Sequence, residues 1–174
     1  MDIHAAEKLI RDVPDFPKPG IVFKDITPLL QDPQAWKAVL EKMQAQLSDS
    51  GAQSMVGVES RGFLFAAPLA YQMGAGLVLV RKPGKLPADT LSQEYALEYG
   101  TDQLEIHRDA LRPGQPVVIC DDVLATGGTA AATAALIERA GGKVVGFAFM
   151  VELAFLNGRE RLGGVPVHSV YRYG

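Results

Sequence analysis

Short apolar runs recur along the chain, and turn residues bound most of them. Such runs, several rich in Val and Ile, are typical of strands buried on both faces of a sheet. They predict strands at Ser54–Val58, 77–80, 117–120 and Lys143–Leu153. A last strand is expected over 165–170, at an edge of the sheet, since Pro166 introduces it.

Apolar residues at helical spacing predict helices between these strands. Residues 3–13 and 63–73 have this spacing, and Ala130 begins a segment of strong helix propensity. Asp32-Pro33 predicts a helix start, because an acid caps the first turn and proline fits its first position. The apolar stripe of that helix comprises Trp36, Val39, Leu40, Met43 and Leu47. Residues 21–26 are expected to be extended.

The order of these elements predicts an α/β fold with a mostly parallel central sheet flanked by helices. Tyr95, Leu97 and Tyr99 alternate with other residues, and Leu104 and Ile106 alternate after a glycine turn, which adds an antiparallel hairpin. A length of 174 residues suits one domain over 1–174.

In the stretch VVICDDVLATGGTA, residues 117–130, an apolar run is followed by two acids and then by a glycine-threonine loop. We expect Asp121 and Asp122 to lie where the strand ends. Adjacent glycines let a backbone approach an anion, and a helix N-terminus offers it free amides. The acids would repel a bare phosphate, so a ligand with hydroxyls or a metal, such as a sugar phosphate, fits better. The alternative is a helix cap with a tight turn.

A second strand, turn and helix carries Glu59-Ser60-Arg61-Gly62 in its turn. A parallel sheet places this turn at the same edge, where it can hold a second anion. The alternative is a surface pair of Glu59 and Arg61 beside a close-packing glycine. The basic segment, residues 81–87, also leaves the sheet at this edge, although it would serve equally as a solvated loop. Together these features favour a ligand phosphorylated at two ends.

Composition narrows the class of protein further. The net charge of -3 argues against a nucleic-acid surface. No signal peptide or membrane-spanning run is visible, so we expect a cytoplasmic protein without a membrane partner. Cys120 lies in an apolar strand and is expected to be buried and inert. The histidines have no common spacing, which disfavours a metal cluster.

Six motifs between residue 15 and about residue 162 give the chain a resemblance to a known family. They are FPKPGIVFKDITPLL, VGVESRGFLFA, LVLVRKPGKLP, YALEYG, LEIHRDAL and VVICDDVLATGGT. The chain resembles the adenine branch of the type I phosphoribosyltransferases. The resemblance implies that fold, with a small base-binding hood at about 1–30 and a flexible active-site loop at about 81–100. It also implies a Mg²⁺-dependent reaction in which phosphoribosyl pyrophosphate and adenine give AMP and pyrophosphate, and a homodimer.

The same resemblance implies a role for each matching residue. Ribose and 5'-phosphate binding falls to Asp121, Asp122, Ala125, Thr126, Gly127, Gly128 and Thr129. Pyrophosphate binding falls to Glu59, Ser60, Arg61, Arg81, Lys82 and Lys85. Adenine is expected beside Val22, Phe23, Arg61 and Leu153, and Glu98 is expected to transfer a proton to or from the purine. Mg²⁺ would be held mainly by the substrate, near Asp121 and Asp122.

Two other functions stay open. A phosphoribosyltransferase for another purine base would differ only in the segment that contacts the base. A ligand-sensing regulator would keep the fold for binding alone, but it would usually need a DNA-binding module or a basic face, and the sequence provides neither. Residues 87–90 and Gln93 depart from the family pattern and bear on loop contacts rather than on the reaction.

Overall fold

The computed structural model describes residues 1–96 and 100–174. These residues form two compact units, Met1–Lys42 and Met43–Gly174. The expectation that residues 1–174 make a single domain, with a hood at 1–30 and a flexible loop at 81–100, stays a prediction. No helix in the described ranges is long and apolar enough to cross a membrane.

The first unit begins with a short helix, α1 (Ile3–Glu7), and a two-stranded antiparallel sheet. Strand β1 (Arg11–Pro14) pairs with β2 (Val22–Asp25), which confirms the extended segment predicted over 21–26. The helix predicted over 3–13 is therefore wrong beyond Glu7.

Charge pairing across β1 and β2 explains why residues 11–13 form a strand and not the end of the predicted helix. The register sets Arg11 opposite Asp25 and Asp12 opposite Lys24. Both pairs form ion pairs with N to O distances of 2.6 Å. Opposite charges that face each other across two strands stabilise the pairing, and here they prevail over a helical spacing of apolar residues.

Two helices follow, α2 (Thr27–Gln31) and α3 (Pro33–Leu47). The Asp32 carboxylate accepts hydrogen bonds of 2.9 Å from the backbone N–H groups of Gln34 and Ala35, which confirms the predicted cap. The apolar stripe is confirmed as well, since four of its residues are buried and Trp36 is half-buried. The buried four are Val39, Leu40, Met43 and Leu47.

The second unit contains a five-stranded sheet, a separate hairpin and two longer helices. The elements are β3 (Ser54–Val58), α4 (Gly62–Met73), β4 (Gly76–Val80), β5 (Thr90–Ala96), β6 (Thr101–His107), β7 (Pro116–Leu124), α5 (Gly128–Arg139), β8 (Lys143–Leu153) and β9 (Val167–Tyr173). Short 3₁₀ turns cover Ala154–Leu156 and Gly158–Arg161 between the last two strands.

The five-stranded sheet has the order β4-β3-β7-β8-β9, and all of its pairings are parallel. This confirms the predicted α/β fold with a central parallel sheet. The carboxyl ends of the strands consequently lie at one edge, which is where open α/β sheets bind ligands. Strand β9 lies at the outer edge, as predicted, although it spans Val167–Tyr173 instead of 165–170.

Helices α4 and α5 cover opposite faces of the sheet. A Cβ on Gly57 would lie 2.9 Å from the Phe63 ring and 3.0 Å from the Ala66 methyl, so β3 and α4 pack closely. Val56 and Val58 point to the other face and share a buried cluster with residues of α5. Burial of the strands on both faces explains why their sequences are almost continuously apolar.

The pairing of β5 and β6 is antiparallel and confirms the predicted hairpin, while Leu97 and Tyr99 of the alternating pattern lie outside the described residues. Leu104 and Ile106 are fully buried and belong to the same cluster as α5. A backbone bridge between Arg81 and Glu105 ties β6 to the basic segment. The hairpin is thus fixed to the second unit through its β6 strand.

Candidate functional site

The two acids lie inside β7, at the point where one of its neighbours has ended. Strands β3 and β7 pair only as far as Gly57 and Cys120, whereas β8 stays paired with β7 as far as Leu124. The prediction that the strand ends at the acids is therefore wrong. The apolar run marks only the part of β7 that has partners on both sides.

Burial and mutual repulsion set the charge state of Asp121. Its carboxylate accepts a 2.8 Å hydrogen bond from the Asp122 backbone N–H, while the Asp122 side chain is buried at 5% exposure. Burial, and then the negative charge of Asp122, raise the pKa of Asp121 well above its usual range. The site therefore combines a buried anion with a neighbouring carboxyl that binds a proton readily.

The turn after β3 reaches the acids through Arg61. Its Nε donates a hydrogen bond to the Asp122 carboxylate, and 53% of the Arg61 side chain stays exposed. A Cβ on Gly62 would lie 2.6 Å from the Cys120 carbonyl oxygen and 3.2 Å from Asp121 Oδ1. The interpretation of Gly62 as a close-packing glycine is confirmed, because only glycine lets α4 begin against β7. Ser60 is exposed in this turn, after a cis peptide bond from Glu59.

Glu59 faces the basic segment. Its carboxylate accepts a 2.8 Å hydrogen bond from the Lys82 backbone N–H and a 3.2 Å bond from Arg81 Nε. The Lys82 N–H is the main cause of a lowered pKa at Glu59, which offsets the effect of burial. Arg81 also donates to the Lys85 carbonyl oxygen and lies 6.0 Å from the Phe63 ring centre. The basic segment is thus fastened to the end of β3.

The loop 125–129 leads into α5, which begins at Gly128, two residues earlier than predicted. Gly127 has a φ of +83°, and a Cβ there would lie 2.4 Å from the Gly158 carbonyl oxygen. A Cβ on Gly158 would lie 2.3 Å from the Ala125 carbonyl oxygen. Gly127 and Gly158 therefore let the backbone of the loop 125–129 touch the backbone at residue 158. This contact shapes the loop 125–129, which we call the anion loop.

Gly158 is the residue that sequence reasoning missed. The sequence of residues 157–161 is typical of a charged surface segment, and Arg159, Glu160 and Arg161 are indeed exposed. Gly158 between them is buried against the loop. A single glycine in a polar segment gives no signal of this contact, which joins positions 31 residues apart.

An ion pair between Arg159 and the buried Glu152 holds residues 157–161 in place. Glu152 on β8 is 2% exposed and accepts two hydrogen bonds from Arg159, of 2.7 and 2.6 Å, and one of 2.7 Å from Ser169. The Arg159 guanidinium is the main cause of the lowered pKa of Glu152. Arg159 also donates to the Val167 carbonyl oxygen at 3.0 Å, so it joins β8, β9 and the turn that supports the anion loop.

The residues expected to surround the base fall in different units. Val22 is 52% exposed on β2, and the half-buried Phe23 meets the Phe16 ring edge-on at 5.2 Å between ring centres. Leu153 is half-buried at the carboxyl end of β8, opposite Tyr173. The expected proton-transfer residue, Glu98, lies outside the described residues. That Val22, Phe23 and Leu153 contact the base stays a prediction.

Metal binding has little support from side chains alone. Among residues 1–96 and 100–174, no group of three or more His, Cys, Asp and Glu side chains is arranged to hold an ion. Asp121 and Asp122 supply two adjacent carboxylates. Such a pair fits a Mg²⁺ ion that takes most of its oxygen ligands from a substrate and from water. The thiol of Cys120 is buried, as expected, and burial raises its pKa.

Comparison with known sequences gives close matches over nearly the whole chain. A family model described as a phosphoribosyl transferase domain matches residues 29–162. An adenine phosphoribosyltransferase of a Synechococcus species is 58% identical over 165 residues, which are 95% of this chain and 96% of that one. A protein of the same name from a Roseiflexus species is 56% identical with the same coverage.

Solved structures agree with the sequences. The adenine phosphoribosyltransferase of Thermoanaerobacter pseudethanolicus superposes with a TM-score of 0.96 at 53% identity, covering 98% of this chain and 99% of that one. The Saccharomyces cerevisiae enzyme, complexed with D-2,5-dideoxy-2,5-imino-altritol 1,6-bisphosphate and adenine, gives 0.92 at 37% identity and covers 97% of each chain. The complete architecture, and not only the anion loop, is shared.

Proposed function

The chain belongs to the phosphoribosyltransferase family, on its adenine branch, and from this premise we propose that it transfers the 5-phosphoribosyl group of phosphoribosyl pyrophosphate to adenine. The products are AMP and pyrophosphate, so the reaction salvages a purine. The observation that carries the proposal is the edge of the sheet where Asp121 and Asp122 lie beside Arg61 and precede the anion loop. One end of this edge suits a phosphorylated ribose and the other suits an anionic leaving group.

Asp121, Asp122 and the loop 125–129 serve the part of the substrate that stays. Carboxylates accept hydrogen bonds from ribose hydroxyls, and the backbone N–H groups at the start of α5 donate hydrogen bonds to a phosphate. Departure of pyrophosphate leaves positive charge on the anomeric carbon and ring oxygen, as in glycoside cleavage. A fixed negative charge nearby, on the buried Asp122, stabilises that charge as it develops.

Arg61 and the basic segment serve the part of the substrate that leaves. Arg81 forms an ion pair with Glu59, and Lys82 forms one with Asp102. Lys85 is exposed, and within the described ranges no carboxylate lies within 4 Å of its ammonium group. We expect Arg61, Lys82 and Lys85 to bind pyrophosphate and draw it away from the ribose. Bound Mg²⁺ would supply further positive charge on the leaving group.

Adenine is the proposed acceptor because relatives with 58% and 56% identity are adenine phosphoribosyltransferases, and one solved relative holds adenine. Exposed apolar side chains such as Val22 and Phe16 suit a planar base. Glu98 is proposed to transfer the proton of the base. Transfer to another purine, or binding without catalysis, are the functions to exclude.

We also propose that the enzyme is a cytoplasmic homodimer. Leu64 and Tyr71 on α4, and Leu77 and Leu79 on β4, expose between 39% and 89% of their surface. An apolar surface of this kind is typically covered by a partner. A lone cysteine that is buried fits a reducing compartment. Sedimentation of the purified protein at micromolar concentration measures the oligomeric state.

One assay tests the activity. The purified protein is incubated with phosphoribosyl pyrophosphate, Mg²⁺ and one of adenine, hypoxanthine or guanine, and the nucleotide formed is measured. We expect AMP from adenine and at least about 100-fold lower kcat/KM with the other bases. Turnover of hypoxanthine in place of adenine would replace the proposed acceptor. Binding of the pyrophosphate substrate without turnover of any base would identify a sensor.

A further inference from the structure

A chain of side-chain hydrogen bonds connects the basic segment with the first turn of α5. Lys82 Nζ donates to Asp102 Oδ2 on β6. The Tyr95 hydroxyl on β5 donates to the same oxygen at 3.2 Å. The Thr129 hydroxyl donates in turn to Tyr95 Oη at 3.5 Å. The hairpin thus joins a residue of the proposed pyrophosphate end to a residue of the proposed 5'-phosphate end.

Lys82 is held at both of its ends. Its backbone N–H donates to Glu59 at 2.8 Å, and the preceding residue, Arg81, exchanges two backbone hydrogen bonds of 2.9 and 2.7 Å with Glu105. Its ammonium group is held by Asp102. A lysine side chain has large rotamer freedom, and binding an anion with a free lysine requires that freedom to be lost. In this protein the loss occurs on folding instead.

Asp102 is a fixed anchor for that ammonium group. Its second oxygen, Oδ1, accepts a 2.8 Å hydrogen bond from the Gln103 backbone N–H. Tyr95 is its register partner across the hairpin, so the phenol is carried directly opposite. The side chains of Lys82 and Asp102 are 39% and 28% exposed, which makes their attraction stronger than that of a fully solvated pair.

The contact with Asp102 leaves Lys82 able to bind a further anion. An ammonium group has three donors, and Asp102 uses one of them. Partial burial would lower the pKa of Lys82, but the hydrogen bond to Asp102 and the nearby Tyr95 hydroxyl outweigh burial and raise the pKa. The lysine therefore stays charged and keeps donors for a phosphate oxygen.

We propose that Asp102 and Tyr95 are positioning residues, which hold Lys82 ready for the pyrophosphate end of the substrate and tie it to Thr129 at the 5'-phosphate end. The inference rests on the proposed function, because that function places an anion at each end. Neither residue touches the substrate in this scheme. Their effect is transmitted through Lys82 and Thr129.

The primary test is Asp102→Ala, with Asp109→Ala as a matched control, because Asp109 is an exposed acid that follows β6 and lies outside the proposed active-site loop. We expect the KM for phosphoribosyl pyrophosphate to rise about 3- to 10-fold in Asp102→Ala, with the KM for adenine changed less than twofold. The control leaves both constants unchanged. A general loss of structure would instead affect both substrates and lower the melting temperature.

A double-mutant cycle shows whether the effect passes through Lys82. In a Lys82→Met background, Asp102→Ala is expected to add less than a twofold change. Tyr95→Phe, which keeps the ring and removes only the hydroxyl, is expected to raise the same KM about two- to threefold. An equal effect of Asp102→Ala in both backgrounds would overturn the proposal.

The direction of the effect is equally decisive. If Asp102 withheld Lys82 from the substrate, Asp102→Ala would lower the KM for phosphoribosyl pyrophosphate, and the proposal would be wrong. An unchanged KM would also overturn it.

Failure of the proposed function has a different signature, since the wild-type protein would then form no AMP. In that event, calorimetric binding of magnesium pyrophosphate to wild type and Asp102→Ala tests the positioning of Lys82, and equal affinities would refute it.

Discussion

Arg61 donates a hydrogen bond to the buried carboxylate of Asp122, which joins the turn after β3 to the neighbouring strand β7. The pair is asymmetric, because Asp122 is almost fully enclosed and half of the Arg61 side chain is exposed. A buried charge needs a hydrogen-bonded partner to offset the cost of leaving water, and it acts strongly on groups nearby. Burial, and then the charge of Asp122, raise the pKa of the adjacent Asp121. The two acids are therefore not equivalent.

Asp122→Asn is expected to lower kcat by about 100-fold or more, since it removes the fixed negative charge beside the ribose. Asn has the same shape, so the melting temperature should fall by less than about 5 °C. Asp121→Asn is the matched variant and should cost less than about 10-fold, because it leaves the buried Asp122 carboxylate and its pair with Arg61 in place. Steady-state kinetics and thermal unfolding of both variants provide the measurement. Equal losses would show that the two acids share one role.

Gly158→Ala should disturb the anion loop from a distance. The new Cβ would lie 2.3 Å from the Ala125 carbonyl oxygen, so the backbone must shift, at a cost of about 1–3 kcal/mol. We expect a higher KM for phosphoribosyl pyrophosphate and a lower melting temperature. Gly146→Ala on β8 is the control, because its Cβ would meet Val118 at an ordinary 3.4 Å. Identical behaviour of the two variants would mean that the Gly127–Gly158 contact does not shape the site.

Glu98→Ala tests the residue proposed for proton transfer. A positioned acid or base contributes roughly 10²- to 10⁴-fold, so kcat with adenine should fall by at least about 100-fold. Glu94→Ala is the control, since Glu94 is an exposed acid on β5, four positions before Glu98 in the sequence. A rate for Glu98→Ala close to that of the wild type would assign the proton to another group or to water.

Asp25 should contribute to stability in a pH-dependent way. The backbone N–H and hydroxyl of Thr27, followed by Arg11, lower its pKa to about 2. Since an unfolded aspartate has a pKa of about 3.9, the contribution is fully present above that pH and is lost as the pH falls through 2. We expect the free energy of unfolding of wild type to exceed that of Asp25→Asn by at most about 2 kcal/mol at pH 6, and the gap to close near pH 2. Urea unfolding across this range measures it, and a gap that does not change with pH would contradict the assignment.

The parallel core was predictable because its strands carry the signal in their own composition. Ser54–Val58 and Lys143–Leu153 match the predicted bounds, since strands buried on both faces are apolar throughout. The end of β7 was not predictable in this way. Its last residues are extended only because β8 continues beside them, and this partner lies elsewhere in the sequence.

The contacts that organise the site depend on which segments meet, and so they escape a residue-by-residue interpretation. The spacing over 3–13 suits a helix, but Arg11 and Asp12 find partners on β2. Tyr95 and Asp102 become neighbours only through the hairpin register, and Gly158 matters only because Gly127 packs on it. The acids and the anion loop were visible because they are contiguous in sequence. Their support comes from residues up to about 60 positions away, as Arg61 and Asp122 illustrate.

The parallel order of the central sheet also dictates when it can form. Strand β3 lies between β4, which follows it after one helix, and β7, which begins only at Pro116 and is therefore synthesised later. Until then the apolar edge of β3 has no partner, and an unpaired edge is a site of aggregation. Since pairings between distant segments form slowly, the strand that carries Asp121 and Asp122 is held in place only after β8 has paired beside it, and the site is complete only when Gly158 has packed on the loop.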